Sequence, residues 1–301
     1  MAGLLLLDTP ALYFRAFFGV PESITAPDGT PVNAVRGLID MMATLVKGRR
    51  PDRLVACFDA DWRPDFRVAA LPTYKAHRVA PAGGEIVPDG LVPQLPIIDA
   101  VLEAIGLARA EAKGYEADDV IGTLAVRGPA PVEVVTGDRD LFQLVDDAAP
   151  VTVLYTARGV AKLATFDEAA VTAKYGIPGR AYADYATLRG DPSDGLPGVA
   201  GVGDKTAAAL ITRFGGLEPL LAALDDGEQS GFPAGSRTKL QAAREYLDAA
   251  PEVVRVALDV PLADLDDALP TAPRDPARLI ELSDHWNLEG PLNRLLAALA
   301  A

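Results

Sequence analysis

Four short runs, Leu4–Leu7, Leu54–Phe58, Val132–Thr136 and Val151–Tyr155, carry apolar side chains with almost no polar interruption. Runs of this length without alternation predict strands buried on both faces. Between them lie Val35–Val46, Ile97–Ile105 and Val120–Val126, where apolar residues recur at helical spacing. Strands alternating with helices predict an α/β fold around a central, mostly parallel sheet covered on both sides. Residues 72–96 break this regime, because Pro72, Pro81, Gly83, Gly84, Pro88, Gly90, Pro93 and Pro96 punctuate them. They predict a long irregular excursion, of a kind uncommon unless it serves function. From about Ala181 strand signals cease, and helical patterns follow over Thr206–Phe214, Leu217–Leu224, Arg237–Ala249 and Pro276–Leu288, with Leu292–Ala301 read as a packing helix. The expected division is a core over residues 1–180, including the excursion, and an all-helical lobe over 181–301.

With 301 residues, half of them hydrophobic, the chain can bury a sizeable core. No apolar run approaches the ~18 residues of a membrane helix. The opening Met-Ala-Gly-Leu lacks the basic start of a signal peptide, so a cytoplasmic protein without a membrane partner is expected. One cysteine, Cys57, and two histidines, His77 and His285, exclude a disulfide framework and the usual zinc sites; Cys57 reads as core. A net charge of −14 argues at first against nucleic acid. Position changes that picture: between Lys47 and Ala80 eight Lys and Arg face four Asp, while acidic surplus collects in Asp225–Glu228 and Asp259–Asp267, read as solvated surface.

The first three strand runs each end in carboxylates: Asp8 after the first, Asp59 after the second, and Asp138 and Asp140 after the third. In open parallel sheets ligands bind at that carboxyl edge. A further trio, Glu116, Asp118 and Asp119, opens a helix. One acid there suits the helix dipole, but three repel, since two carboxylates ~4 Å apart cost about 4 kcal/mol at an effective dielectric of 20. Such a cluster requires protonation or divalent cations. Oxygen ligands without His or Cys point to Mg²⁺ or Mn²⁺. Two such ions ~3.5–4 Å apart would suit in-line displacement at a phosphodiester.

The stretch Gly190–Ala207 is the most specific in the chain. As a nucleotide-binding P-loop it fails, since Asp204 separates Gly203 from Lys205 and no strand precedes it. It fits a helix-hairpin-helix turn over 195–207, in which Gly201 and Gly203 let the backbone approach a DNA phosphate, Lys205 adds a charge, and Thr206 lies in the first turn of the next helix. Such contacts read DNA form rather than sequence. Asp191 and Asp194 precede the turn and either complete the acidic cluster or serve in Asx-turns and caps.

Taken together, Leu7-Asp8, Cys57-Phe58-Asp59, Tyr74-Lys75-Ala76-His77-Arg78, Glu116-Ala117-Asp118-Asp119, Thr136-Gly137-Asp138-Arg139-Asp140 and Gly190–Ala207 resemble the flap endonuclease and 5′-3′ exonuclease family, which includes the nuclease domain of bacterial DNA polymerase I. The resemblance spans roughly residues 3–290. It implies an α/β PIN-like nuclease core with a helical arch at 72–96, and a helical lobe carrying a helix-three-turn-helix element. It implies a first metal held by Asp8, Asp59, Glu116, Asp118 and Asp119, and a second by Asp138, Asp140, Asp191 and Asp194, many through water. It also implies that Lys75 and Arg78 steer the scissile phosphate at the base of the arch, that Tyr74 stacks on a base, and that carbonyls of Pro197, Val199 and Val202 hold K⁺. The partners implied are DNA with 5′ ends, flaps or branches, with functional coupling to a polymerase and ligase, for a free-standing, nucleoid-associated monomer. Two residues depart from the pattern: His77 stands where Asn is frequent, and Gly195 where Asn commonly follows Ser-Asp. A non-catalytic junction-binding protein and an RNA-directed PIN ribonuclease are the rival readings; the second leaves the hairpin unexplained.

Overall fold

Strands Leu4–Asp8 (β1), Arg53–Cys57 (β2), Ala108–Ala110 (β3), Val132–Thr136 (β4), Val151–Tyr155 (β5) and Ala164–Phe166 (β6) join in one sheet of order β3-β2-β1-β4-β5-β6. All pairings are parallel except β5 with β6. The computed structural model describes residues 3–228 and 230–301; Met1 and Ala2, which belong to the stretch read for a targeting signal, and Gln229 lie outside them. The four apolar runs all form strands. The two further strands, β3 and β6, have three residues each and sit at the sheet's edges, too short to give a periodic signal.

Alternation along the central strands explains the unbroken hydrophobicity. Leu4, Leu6, Val55 and Val134 enter one core layer, and Leu5, Leu7, Leu54 and Val135 enter the other. The second layer is covered by Thr9–Gly19 (α1), Asn33–Arg49 (α2) and, beyond the six-residue Asp65–Ala70 (α3), Leu95–Ile105 (α4). Ala117–Arg127 (α5) covers the first layer together with Glu168–Tyr175 (α6), Tyr182–Arg189 (α7), Asp204–Phe214 (α8), Leu217–Asp225 (α9), Ser236–Ala242 (α10) and Arg244–Val254 (α11). Sheet and helices thus share a continuous core there, through residues such as Val134, Tyr182, Leu210 and Leu247. Among the described residues no single helix is long and apolar enough to cross a membrane.

Two features differ from expectation. Residues 72–94 do not form a helical arch. They fold into 3-10 turns at Ala76–Arg78 and Val92–Gln94 and a small hairpin with a bridge between Val79 and Glu85. Prolines at 72, 81, 88 and 93 remove donors, and Gly83 and Gly84 take positive φ, so helical pairing cannot propagate. The segment is nevertheless anchored. Gln94 accepts from the amides of Ala34 and Val35 at 2.8 and 3.2 Å, satisfying the start of α2, and donates to Asn33 at 2.8 Å. The second difference concerns residues 255–301. This chain end runs back along the sheet, where Leu54 donates to Asp267 and Leu269 to Asp52, both at 2.9 Å. It ends in Pro276–His285 (α12) and Glu289–Leu299 (α13), which pack on α4 and α2. Leu292, Leu295 and Leu299 close the second core layer, so the amphipathic faces of these helices are spent on the sheet domain rather than on a separate lobe.

Candidate metal centre and nucleic-acid interface

Parallel register brings the strand ends together. Asp8 pairs with Cys57, and Leu7 lies between Ala56 and Val135, so Asp8, Asp59 and Asp138 emerge at one edge. There they line a cleft of about 760 Å³, together with Glu116, Asp118 and Asp191. Lys75 and Arg78 line it as well, as do Arg15 and Arg139.

Each acid is placed by a local device. Asp8 ends β1 and caps α1, accepting from the Ala11 amide at 3.1 Å, and its other oxygen accepts from the Thr136 hydroxyl at 2.6 Å. Asp59 accepts from the Ala117 amide at the start of α5 at 2.7 Å, which joins two parts of the chain far apart in sequence. Asp138 accepts from the Asp140 amide at 2.9 Å. Asp191 turns its carboxylate to Ser193 in an Asx-turn, with contacts of 2.9 Å to the amide and 2.5 Å to the hydroxyl. The turn chemistry and the cleft position therefore coexist in one residue.

Burial dominates the electrostatics. It pushes Asp8 up to about 7, against the hydrogen bonds from Thr136 and Ala11 and with help from the charges of Asp59 and Asp138. Burial also raises Asp59, Glu116 and Asp138 above the usual carboxylate range, and it lifts Asp118 and Asp140 well above it, with repulsion from neighbouring carboxylates as the next cause. One oxygen of Asp140, Oδ1, is buried without a hydrogen-bond partner. An orphaned carboxylate oxygen beside a crowd of acids that resist ionisation fits the donor chemistry of a hard divalent cation. Among the described residues no group of three acids closes directly around one point.

Two residues depart from the predicted roles. Asp119 is fully buried and does not line the cleft. Its Oδ1 accepts from Arg67 at 2.6 Å and the Ala257 amide at 2.8 Å, and its Oδ2 from Arg67 at 2.7 Å and the Glu116 amide at 3.1 Å. With every oxygen engaged, it is a structural counter-ion and helix cap rather than a ligand. Tyr74, expected to stack on a base, is 4% exposed, and its hydroxyl donates to Glu116 at 2.6 Å. Its ring belongs to the core that packs under the cleft.

Lys75 pairs with Glu116, and its backbone amide donates to the Asp194 carbonyl at 2.9 Å. Arg78 donates to the Asp194 carboxylate at 2.8 Å and to the Ser193 carbonyl at 2.7 Å. The start of the excursion thus docks on the chain leading into the hairpin. Gly203 caps α8, its carbonyl accepting from Thr206 and Ala207, and Lys205 is exposed beside it. The Val199 carbonyl already accepts from Val202 at 2.9 Å, within the same turn as the exposed Pro197. Sequence reading missed Lys239, whose ammonium donates to the Gly201 carbonyl at 2.8 Å and adds a second cation at the hairpin. It also missed Thr136 and Arg67, which act on acids distant in sequence and leave no local signal.

An acidic edge site flanked by paired cations and a glycine-rich hairpin, on a parallel sheet, defines a nuclease of the PIN-like class. Family models bear this out in tandem: "5'-3' exonuclease, N-terminal resolvase-like domain" matches residues 3–176, and "5'-3' exonuclease, C-terminal SAM fold" matches 177–277. The chain belongs to the 5′-3′ exonuclease family. It is 59% identical to a 5′-3′ exonuclease of Streptomyces coelicolor, covering 99% of this chain and 100% of that one. It is 40% identical to DNA polymerase I of Mycobacterium bovis over 99% of this chain, which spans 32% of that protein. Among solved structures, the T5 D15 protein co-crystallised with metal ions has the same fold, with a TM-score of 0.66 and 17% identity over 98% of this chain and 97% of that one.

Proposed function

We propose that this 5′-3′ exonuclease cuts DNA at 5′ ends, flaps and branch points, with divalent cations held by Asp8, Asp59, Glu116 and Asp118 on one side and by Asp138, Asp140, Asp191 and Asp194 on the other. The observation that carries the reading is the convergence of Asp8, Asp59, Asp118 and Asp138 on one cleft while burial resists their ionisation. Mg²⁺ or Mn²⁺, as two ions, would supply a water nucleophile at neutral pH and charge neutralisation at the leaving oxygen. Because no three acids among the described residues close around one point, the carboxylates would grip partly hydrated ions.

The chain's own residues do the rest. Lys75 and Arg78 line the cleft paired with Glu116 and Asp194, and a phosphodiester entering there exchanges these carboxylate partners for its own oxygens. Gly201, Gly203, Lys205 and Thr206 hold the duplex by its backbone, which selects DNA form and fixes the distance from duplex to cleft. A K⁺ ion at the carbonyls of Pro197, Val199 and Val202 would stiffen that turn. The enzyme would act as a cytoplasmic, nucleoid-associated monomer, in step with a polymerase and a ligase that fill and seal the cut strand.

A 5′-labelled flap substrate incubated with Mg²⁺ or Mn²⁺ tests this. The wild type should release the flap, Asp138→Ala should lose at least about 100-fold in rate while retaining duplex affinity in EDTA, and an all-RNA flap should be a poor substrate. Intact DNA binding without any metal-dependent release would overturn the proposal.

A further inference from the structure

Arg67, on α3, is 2% exposed and carries a full set of partners. A guanidinium has five N–H donors. Here Nε donates to the Val253 carbonyl at 3.0 Å; Nη1 donates to Glu116 Oε2 and Asp119 Oδ2, both at 2.7 Å; Nη2 donates to Asp119 Oδ1 at 2.6 Å and to the Arg255 carbonyl at 3.3 Å. Five donors meet five acceptors. Asp119, for its part, has both oxygens fully engaged. Buried ion pairs of this kind add little to stability compared with apolar packing of the same volume, so what the network provides is geometry.

We propose that Arg67 is a positioning residue for the cation centre. It holds one oxygen of Glu116, leaves the other facing Lys75 and the cleft, and keeps Asp119 out of the ligand set. The proposal rests on the reading of the cleft as a divalent-cation site. Two further contacts give it direction. Tyr74 donates to the same Glu116 oxygen that Arg67 holds, so Oε2 is doubly occupied and Oε1 is the face turned to the cleft. The carbonyls that anchor Arg67 belong to the end of α11 and the residues after it. That region is tied to α7, which leads into the hairpin, by Tyr246 donating to the Thr187 carbonyl at 2.9 Å and by Arg255 pairing with Asp184 at 2.8 Å. Glu116 is thereby referenced, through one side chain, to the same frame that presents Asp191 to the cleft. Lysine cannot substitute, because three tetrahedral donors cannot reproduce a planar fork that spans two carboxylates and two carbonyls.

The test compares wild type, Arg67→Lys and the double variant Arg67→Met/Asp119→Leu, which replaces the buried pair by apolar groups. Mn²⁺ binding without DNA is read by the electron paramagnetic resonance of the free ion, together with melting temperature and duplex affinity in EDTA. Arg67→Lys should bind Mn²⁺ about 10-fold or more weakly, with unchanged duplex affinity, and its flap cleavage should recover at raised Mn²⁺. The double variant also leaves the Glu116 and Ala257 amides without their acceptor, so it should melt below the wild type. Measured well below that transition, it should show the same weakened Mn²⁺ binding, which a purely structural role for Arg67 would not produce. Wild-type Mn²⁺ affinity in either folded variant overturns the proposal and leaves the cation-centre reading standing. Absence of Mn²⁺ binding by the wild type overturns that reading, and this one with it.

Discussion

Gly195 lies so close to Thr73 that a Cβ at position 195 would stand 2.3 Å from the Thr73 carbonyl oxygen. Its φ of +74° adds a second reason for glycine there. This is the contact at which the start of the excursion seats on the approach to the hairpin, and it sets the positions of Lys75 and Arg78. Gly195→Ala should therefore lower stability by ~1–3 kcal/mol in urea melts and reduce cleavage by displacing both cations. Wild-type melting and rate in this variant would contradict the contact.

Tyr74→Phe separates two roles for one ring. If the ring stacked on DNA, phenylalanine would serve as well. Because the hydroxyl instead donates to Glu116, its loss should cost about 1.5–3 kcal/mol, the range for a hydrogen bond to a charged acceptor. The KM for DNA should stay within about twofold of wild type. Thermal melts with steady-state kinetics on the flap substrate check both halves.

Asp8 is pushed up to about 7 by burial, from an ordinary aspartate value of 3.8, and Asp59 and Asp138 are raised with burial as the first cause. A carboxyl raised on folding binds more protons folded than unfolded between the two values, so its stabilising contribution is present at low pH and is lost as pH rises through the folded value. In EDTA the melting temperature should thus fall between about pH 4 and about pH 7 and level off above that. Added Mn²⁺ should restore most of the loss at the upper end of that window and little at the lower. Asp8→Asn should flatten the EDTA profile and abolish cleavage. A melting temperature that climbs with pH in EDTA would refute the argument.

Lys205 and Lys239 flank the hairpin from α8 and α10. If each neutralises one phosphate, alanine at either position should weaken duplex binding uniformly across sequences. Each should also reduce the slope of log affinity against log salt by about 0.9. Titrations by fluorescence anisotropy at several salt concentrations decide it. An unchanged slope for Lys239→Ala would confine that side chain to holding Gly201.

The sequence determined the central strands, the acids at their ends and the glycine hairpin, because each is a local pattern. Burial on both faces demands unbroken apolar runs, the carboxyl edge of a parallel sheet gathers the residues just beyond each strand, and a tight turn demands glycine. The acidic cluster and the family were legible for the same reason. The tertiary structure decided the pairings between distant residues. Asp119 has the same local setting as Asp118, yet Arg67 and Ala257 turn it away from the cleft. Tyr74 looks exposed in its proline-rich neighbourhood and is core. The last two helices have the same amphipathic pattern as those of the hairpin lobe and pack on α2 and α4 instead. Periodicity states that a face will be buried but not against what, and a carboxylate's role depends on which donors the rest of the chain brings to it.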